Sequence, residues 1–223
     1  MQRILRHLLP KTPSRRRKEL RFPTPRKSRA TGRTTRRQTR PVRITTIGRG
    51  NIGGGLGELW RRAGHEVGEL GREGGECSGS DAVLLAVPQS AIAEALAGVS
   101  GLEGIPVIDA SNVVRGPRPE GFASLAEYVK SLTGGPVAKA FNANFARLYD
   151  RIGETRATPS MVYAADEEAR EVTETLIRDA GFEPVSAGGL ENAAAVEDFL
   201  GVIFAVAQQS GPFFYRFAPP EKL

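Results

Sequence analysis

The run VRITTIGRGNIGGGLGELW, residues 42–60, places Gly48, Gly50 and Gly53 at G-x-G-x-x-G spacing between a β-rich apolar stretch and an amphipathic one. No other feature of the chain restricts its fold as strongly. Where this motif closes a strand and opens a helix, the missing side chains let the backbone turn sharply. They also let it bring N–H groups against a pyrophosphate and pack the helix closely on the strand. The helix N-terminus adds a partial positive charge at the same place. A glycine-rich turn without a ligand is the alternative reading. Gly54, Gly55 and Gly57 lie outside the minimal motif and are expected to serve helix packing.

The alternation begun there continues. Short β-rich runs (HEVGEL, DAVLLAVP, IPVIDA, GPVAKAF, PSMVYAA, FEPVSAG) alternate with helix-like stretches, and a long final helix begins at about Glu191. Such spacing predicts an α/β fold, a doubly wound, mainly parallel sheet with helices on both faces. In the stretch Asp166 to Gly181, Asp166 is expected to cap a helix, Glu167 and Glu168 to favour its first turn, and Gly181 to end it. No internal repeat is visible.

Charge divides the chain at about residue 42. Residues 1–43 hold 16 of the 31 Lys and Arg beside a single acid, Glu19, whereas the rest is net acidic. Residues 1–41 carry too few apolar side chains and too many like charges to bury a core, and are expected to be a disordered basic N-terminal extension. Three roles compete for it with plain dispensability: binding nucleic acid, targeting to an organelle, and contact with an acidic membrane surface. Phe22 alone supplies an aromatic ring, which weakens the nucleic-acid reading. The longest apolar run, Phe199 to Ala207, is about half a membrane span of ~18 residues. The lone Cys77 excludes an intrachain disulfide and any multi-cysteine metal site, which suits a cytoplasmic location, and His7 and His65 are too few for a histidine metal centre. His65, at the start of a strand, is expected to be structural.

Residues past the second strand bear on which dinucleotide would bind. An NAD site usually places an acid ~20 residues beyond the glycines, and an NADP site an arginine that meets the 2′-phosphate. In HEVGELGREGG, Arg72 follows the strand, and Arg49 projects from the glycine loop toward the same end. Two guanidiniums favour NADP(H), because each donates paired hydrogen bonds to phosphate. Glu73 remains a competing ribose ligand, Glu69 is expected to cap the solvent end of the strand, and a solvated surface role is the other reading of Arg72.

Taken in order, IGRGNIGGGL, GHEV with Gly71-Arg72, DAVLLAVPQ, VIDASN, VAKAFN and GGLENA resemble the NADPH-dependent coenzyme F-420 (deazaflavin) reductases and their small bacterial relatives. That group is also similar to the N-terminal domain of pyrroline-5-carboxylate reductase. The resemblance covers roughly residues 42–218. It implies an NADP-binding Rossmann domain over residues 42–223 with a C-terminal helical and aromatic segment, passing hydride between the nicotinamide and a second redox partner, in the best-known members coenzyme F-420.

Residue by residue, it implies that Gly48, Arg49, Gly50, Asn51, Ile52 and Gly53 form the phosphate loop and that Arg72 meets the 2′-phosphate. Ala86, Val87 and Pro88 would pass beneath the ribose and nicotinamide. Asn112 and Asn142, at later strand ends, would hold the carboxamide or the second substrate, with turn stabilisation as the equal alternative. Lys139, also at a strand end, is expected to be solvated. The chain departs from the pattern between Arg72 and Asp81, where EGGECSGS is too short for a further helix and strand of the sheet.

Hydride transfer between two rings needs positioning more than catalytic side chains, so no catalytic residue and no metal is assigned. The second partner is expected to be a small-molecule redox substrate. The aromatics of GPFFYRF would either stack on its ring or, with the apolar final helix, bury a homodimer interface, the interface being preferred. A non-catalytic NADP(H)-binding sensor, and a structural protein without dinucleotide affinity, are the other classes left open.

Overall fold

The computed structural model describes residues 40–114 and 116–222; the expectations for residues 1–39 lie outside them. Seven strands form one sheet: β1 (Arg43–Ile47), β2 (Glu66–Leu70), β4 (Ala82–Leu85), β6 (Val107–Asp109), β7 (Val137–Lys139), β8 (Ser160–Ala165) and β9 (Glu183–Ser186). Their spatial order is β2-β1-β4-β6-β7-β8-β9. All neighbours run parallel except β7 and β8, where Ala138 faces Ala165 and Lys139 faces Ala164. The two-residue strands β3 (Gly75–Glu76) and β5 (Val99–Ser100) pair with each other outside this sheet. The short EGGECSGS segment therefore adds no strand beyond β2, as its length implied.

Every residue of β4, β6 and β7 is buried, which is the signature of a parallel sheet covered on both faces. Alternate positions feed two cores. Leu84, Ile108 and Ala138 face α1 (Asn51–Ala63) and α4 (Glu167–Asp179), whereas Val83, Val107 and Val137 face α2 (Ile92–Ala97), α3 (Leu125–Thr133) and the start of α5 (Ala193–Ser210). Trp60 locks the first layer. Its ring is fully buried edge-on to Phe141, with centroids 5.7 Å apart, and its Nε1 donates to the Leu176 carbonyl at 2.9 Å.

Two expectations about local roles divide. His65 is structural: its Nδ1 accepts from the Val42 N–H at 3.1 Å, so the ring proton sits on Nε2, which donates to Asp179 at 3.0 Å. Asp166 precedes α4 but its carboxylate makes no cap. It accepts instead from the Val137 N–H at 2.9 Å and from Lys130 Nζ at 2.7 Å, tying β7 and α3 to the helix start, while Glu167 and Glu168 supply the first-turn charge. A cap depends on local geometry alone; here two long-range donors take the acceptor first. Beyond the helix, Gly181 at φ +91° makes the expected stop.

Because β1, β4, β6 and β7 run in one direction, the segments that follow them gather at one edge of the sheet. The chain order reverses between β1 and β4, which is where open α/β sheets form a ligand crevice.

Candidate functional site

That crevice is a cleft of about 530 Å³, bordered by residues 50–52 on one side, 86–88 beneath, 110–112 and 142–147 on the far side, and Leu200, Ile203 and Phe204 of α5 above.

The glycine loop is built to tolerances that explain its composition. Gly48 has φ +108°, and a Cβ on it would stand 2.4 Å from the Ala86 carbonyl oxygen; one on Gly53 would stand 1.9 Å from the Gly48 oxygen. These two glycines are required by strand-to-helix packing. Gly50 is different: a Cβ there meets nothing within 4 Å, because the position opens into the cleft. Gly50 is the N-cap of α1, with no side-chain cap bond, and the first turn carries no acid. The first-turn N–H groups lack intrahelical acceptors and point their partial positive charge at the open space. Asn51 and Ile52 border the same space. Of the outer glycines, Gly55 and Gly57 do serve packing, Gly55 against the Tyr149 ring and Gly57 against β2.

At the β2 end, Arg49 reaches back across the loop. Its Nη2 donates to the Glu69 carbonyl at 3.0 Å and pairs with Glu73 at 2.7 Å. The Glu73 carboxyl is held below its usual range by its own backbone N–H and by Arg49, so it is already engaged and would have to leave Arg49 to take a ribose hydroxyl. Glu69 pairs with Arg61 rather than capping the strand end. Arg72 is exposed and has no hydrogen-bond or ion-pair partner among the described residues. Of the two arginines, it is the one whose donors remain uncommitted.

At the opposite end, Ala86, Val87 and Pro88 leave β4 to form the floor. The structure brings Asn112 and Asn142 together although 30 residues separate them: Asn112 Nδ2 donates to the Asn142 carbonyl at 2.8 Å, and Asn142 Nδ2 to Asn112 Oδ1 and the Val196 carbonyl, both at 3.2 Å. Both do stabilise the turns, but Asn142 Oδ1 and Ser111 Oγ remain buried without a partner in residues that line the cleft. A left-handed residue without a glycine's freedom, Phe141 at φ +61°, immediately precedes Asn142; it is fully buried, so packing against Trp60 holds the backbone that presents Asn142.

Lys139 is not solvated. It is fully buried; its Nζ donates to Asp109 at 2.8 Å and to the Ser111 carbonyl at 2.6 Å, and lies 3.2 Å from Glu197 of α5. Asp109 in turn accepts from the Ser111 N–H at 2.8 Å. Both polar groups of the Ser111 backbone are thus clamped by one buried ion pair, which fixes the 110–112 turn at the cleft.

Sequence reading missed Ser111, Asn144, Phe145, Arg147 and the α5 wall. Ser111 is adjacent to Asn112 and could have been found as a strand-end neighbour; the α5 residues carry no local signal. The four aromatics of GPFFYRF are not among the residues around the cleft. Phe214 packs on the core, Phe213 lies edge-on to Phe145, and the strand-like stretch bonds to Ser160 through the Tyr215 carbonyl and the Phe217 N–H, each at 2.8 Å. No group of three or more potential metal ligands exists among the described residues, nor a helix long and apolar enough to cross a membrane.

No protein-family model matches the chain, and neither does any curated protein. Solved structures do. A candidate F-420-dependent NADP reductase from Arthrobacter sp. matches 80% of this chain and 100% of its own, with TM-score 0.65 and 19% identity. The fold is the one the resemblance implied. A hypothetical protein from Sinorhizobium meliloti matches 70% of this chain and 89% of its own (TM-score 0.57, 26% identity). A reductive aminase from Aspergillus terreus, solved with NADPH and ethyl-5-oxohexanoate, matches 77% of this chain and 64% of its own (TM-score 0.55, 14% identity).

Proposed function

We propose that the chain is an NADP(H)-dependent oxidoreductase that transfers hydride between the nicotinamide and a small-molecule redox partner in the cleft. The observation that carries this reading is Gly50: a glycine cradle left open at an uncapped helix N-terminus, facing a cleft large enough for a dinucleotide's reactive half. The neighbours in fold that are named as an NADP reductase and as an NADPH-bound aminase support it.

In this reading the N–H groups of Asn51, Ile52 and Gly53 receive the pyrophosphate and Arg72 the 2′-phosphate, with Arg49 held beside it by Glu73. Ala86, Val87 and Pro88 floor the ribose and ring. Asn142 Oδ1 and Ser111 Oγ offer acceptors to the carboxamide N–H groups, which would satisfy two otherwise orphaned atoms. NADPH, when bound, supplies the hydride; the residues of this chain position the ring and exclude water through Val87, Leu200 and Ile203. Deazaflavin coenzyme F-420 is the acceptor we propose to try first, since the resemblance points to it.

The test is a fluorescence titration with NADPH and NADH, followed by addition of oxidised deazaflavin and measurement of NADPH consumption. Arg72→Glu is expected to weaken NADPH by about 1–3 kcal/mol, on the scale of a lost charge-assisted contact, and NADH much less. Equal loss for both would remove Arg72 from the 2′-phosphate. Binding without turnover of any acceptor would leave a sensor.

A homodimer through α5 belongs to the same proposal. Val202, Phe204 and Val206 are 57%, 44% and 44% exposed and lie on more than one side of the helix, more apolar surface than one isolated contact explains. A second copy would cover it and close the cleft above Phe204. Light scattering is expected to give twice the chain mass for the wild type and the chain mass for Val202→Asp; a monomeric wild type at tens of micromolar would refute the dimer.

A further inference from the structure

Arg147 is the single charged side chain among the residues around the cleft. Its position is not that of a loose surface arginine. Leu148 and Tyr149, the next two residues, are buried, Tyr149 against Gly55 of α1, and the Leu148 N–H donates to the Phe145 carbonyl at 2.9 Å. The guanidinium carbon stands 5.6 Å over the Phe145 ring, which in turn meets Phe213 edge-on. A cation–π contact restrains the guanidinium without consuming any of its N–H donors. The side chain is exposed and has no ion pair or hydrogen bond among the described residues, and no acid borders the cleft. Leu200, Ile203 and Phe204 of α5 give the same cleft an apolar wall. A ligand that satisfies both sides has a flat or apolar body and an anionic end.

Resting on the oxidoreductase reading above, we propose that Arg147 is a specificity-determining residue that selects an acceptor bearing a carboxylate or phosphate. The negative group sits on the guanidinium, whose planar fork donates to two oxygens at once. The body of the acceptor lies against the α5 wall, beside the floor at Ala86, Val87 and Pro88. The pyrophosphate has its own donors at the start of α1, so Arg147 is left to the second molecule.

Riboflavin and FMN share one planar ring and differ by a phosphate, which makes them a matched pair of probes. With the full chain saturated with NADP+, flavin fluorescence quenching is expected to show FMN bound at least tenfold more tightly than riboflavin. Arg147→Gln should reduce the two to within about twofold, Arg147→Lys should retain part of the preference, and raised salt should diminish it. Thermal midpoint and NADPH affinity should stay at wild-type values in both variants. Equal affinity for the two flavins in the wild type, or binding of neither, overturns the proposal. A loss of NADPH affinity in Arg147→Gln with the FMN preference intact would also overturn it, by assigning the residue to the cofactor. Failure of the wild type to bind NADPH would instead refute the oxidoreductase reading, and the NADPH titration done first tells the two apart.

Discussion

Lys139→Met is expected to destabilise the fold by about 3–5 kcal/mol, the range found when one partner of a buried ion pair is removed. Methionine nearly matches the volume, so the loss comes from electrostatics. Without the ammonium, Asp109 keeps only the Ser111 N–H among its partners described above, and it is fully buried. Glu197 would be better placed. It still accepts from the Leu125 N–H at 2.8 Å and the Ala126 N–H at 3.3 Å at the start of α3, and pairs with Arg118 at 3.2 Å. Asp109 is therefore the group left uncompensated, and Lys139→Met with Asp109→Asn should recover part of the loss. Urea denaturation followed by circular dichroism reads both. A change below about 1 kcal/mol in the single variant would mean that Lys139 reaches water, as its strand-end position had suggested. Because the same pair clamps the Ser111 backbone, the double variant should recover stability without recovering NADPH affinity fully.

The second large effect separates the glycines. Gly50→Ala should leave the thermal midpoint near the wild-type value, since its backbone, φ −75° and ψ −168°, suits alanine and the methyl meets no atom. That methyl would occupy the space where the pyrophosphate approaches, and NADPH affinity is expected to fall more than tenfold, over about 1.4 kcal/mol. Gly53→Ala should lower both, because its methyl would lie against the Gly48 carbonyl oxygen at 1.9 Å and force the loop off the strand. Calorimetric melting beside the fluorescence titration distinguishes them. Wild-type NADPH affinity in Gly50→Ala would show that no phosphate lies over that residue and would remove the observation on which the proposed function depends.

What could be read from the residues alone was whatever is written locally. The alternation of apolar runs with amphipathic stretches is a short-range periodicity, and it reported the doubly wound sheet; the shortness of the segment after β2 reported that it adds no strand to that sheet, and a glycine at the end of the helical pattern reported the stop at Gly181. The glycine spacing is equally local, so the loop, the strand before it and the helix after it were all visible together. The residues of later strand ends could be located at the crevice, because the parallel sheet sends all such ends to one edge.

Partnership across long separations was decided only by the tertiary structure. Lys139 reads as a charge at a strand end; it is buried because Asp109, 30 residues earlier, and Glu197, on a helix near the other end of the chain, arrive beside it. Asp166 was available as a cap until Val137 and Lys130 took its carboxylate. Arg49 and Arg72 looked equivalent until Glu73 engaged one of them. The aromatic tail, for which stacking on the substrate ring was the less favoured of two roles, is held by Ser160 and the core, and the apolar wall of the cleft comes from α5. In each case the side chain's chemistry was known from the sequence, but its energy depended on which opposite charge, donor or apolar surface the folded chain brought within a few ångströms, and contacts of that kind leave no periodic trace in the order of residues.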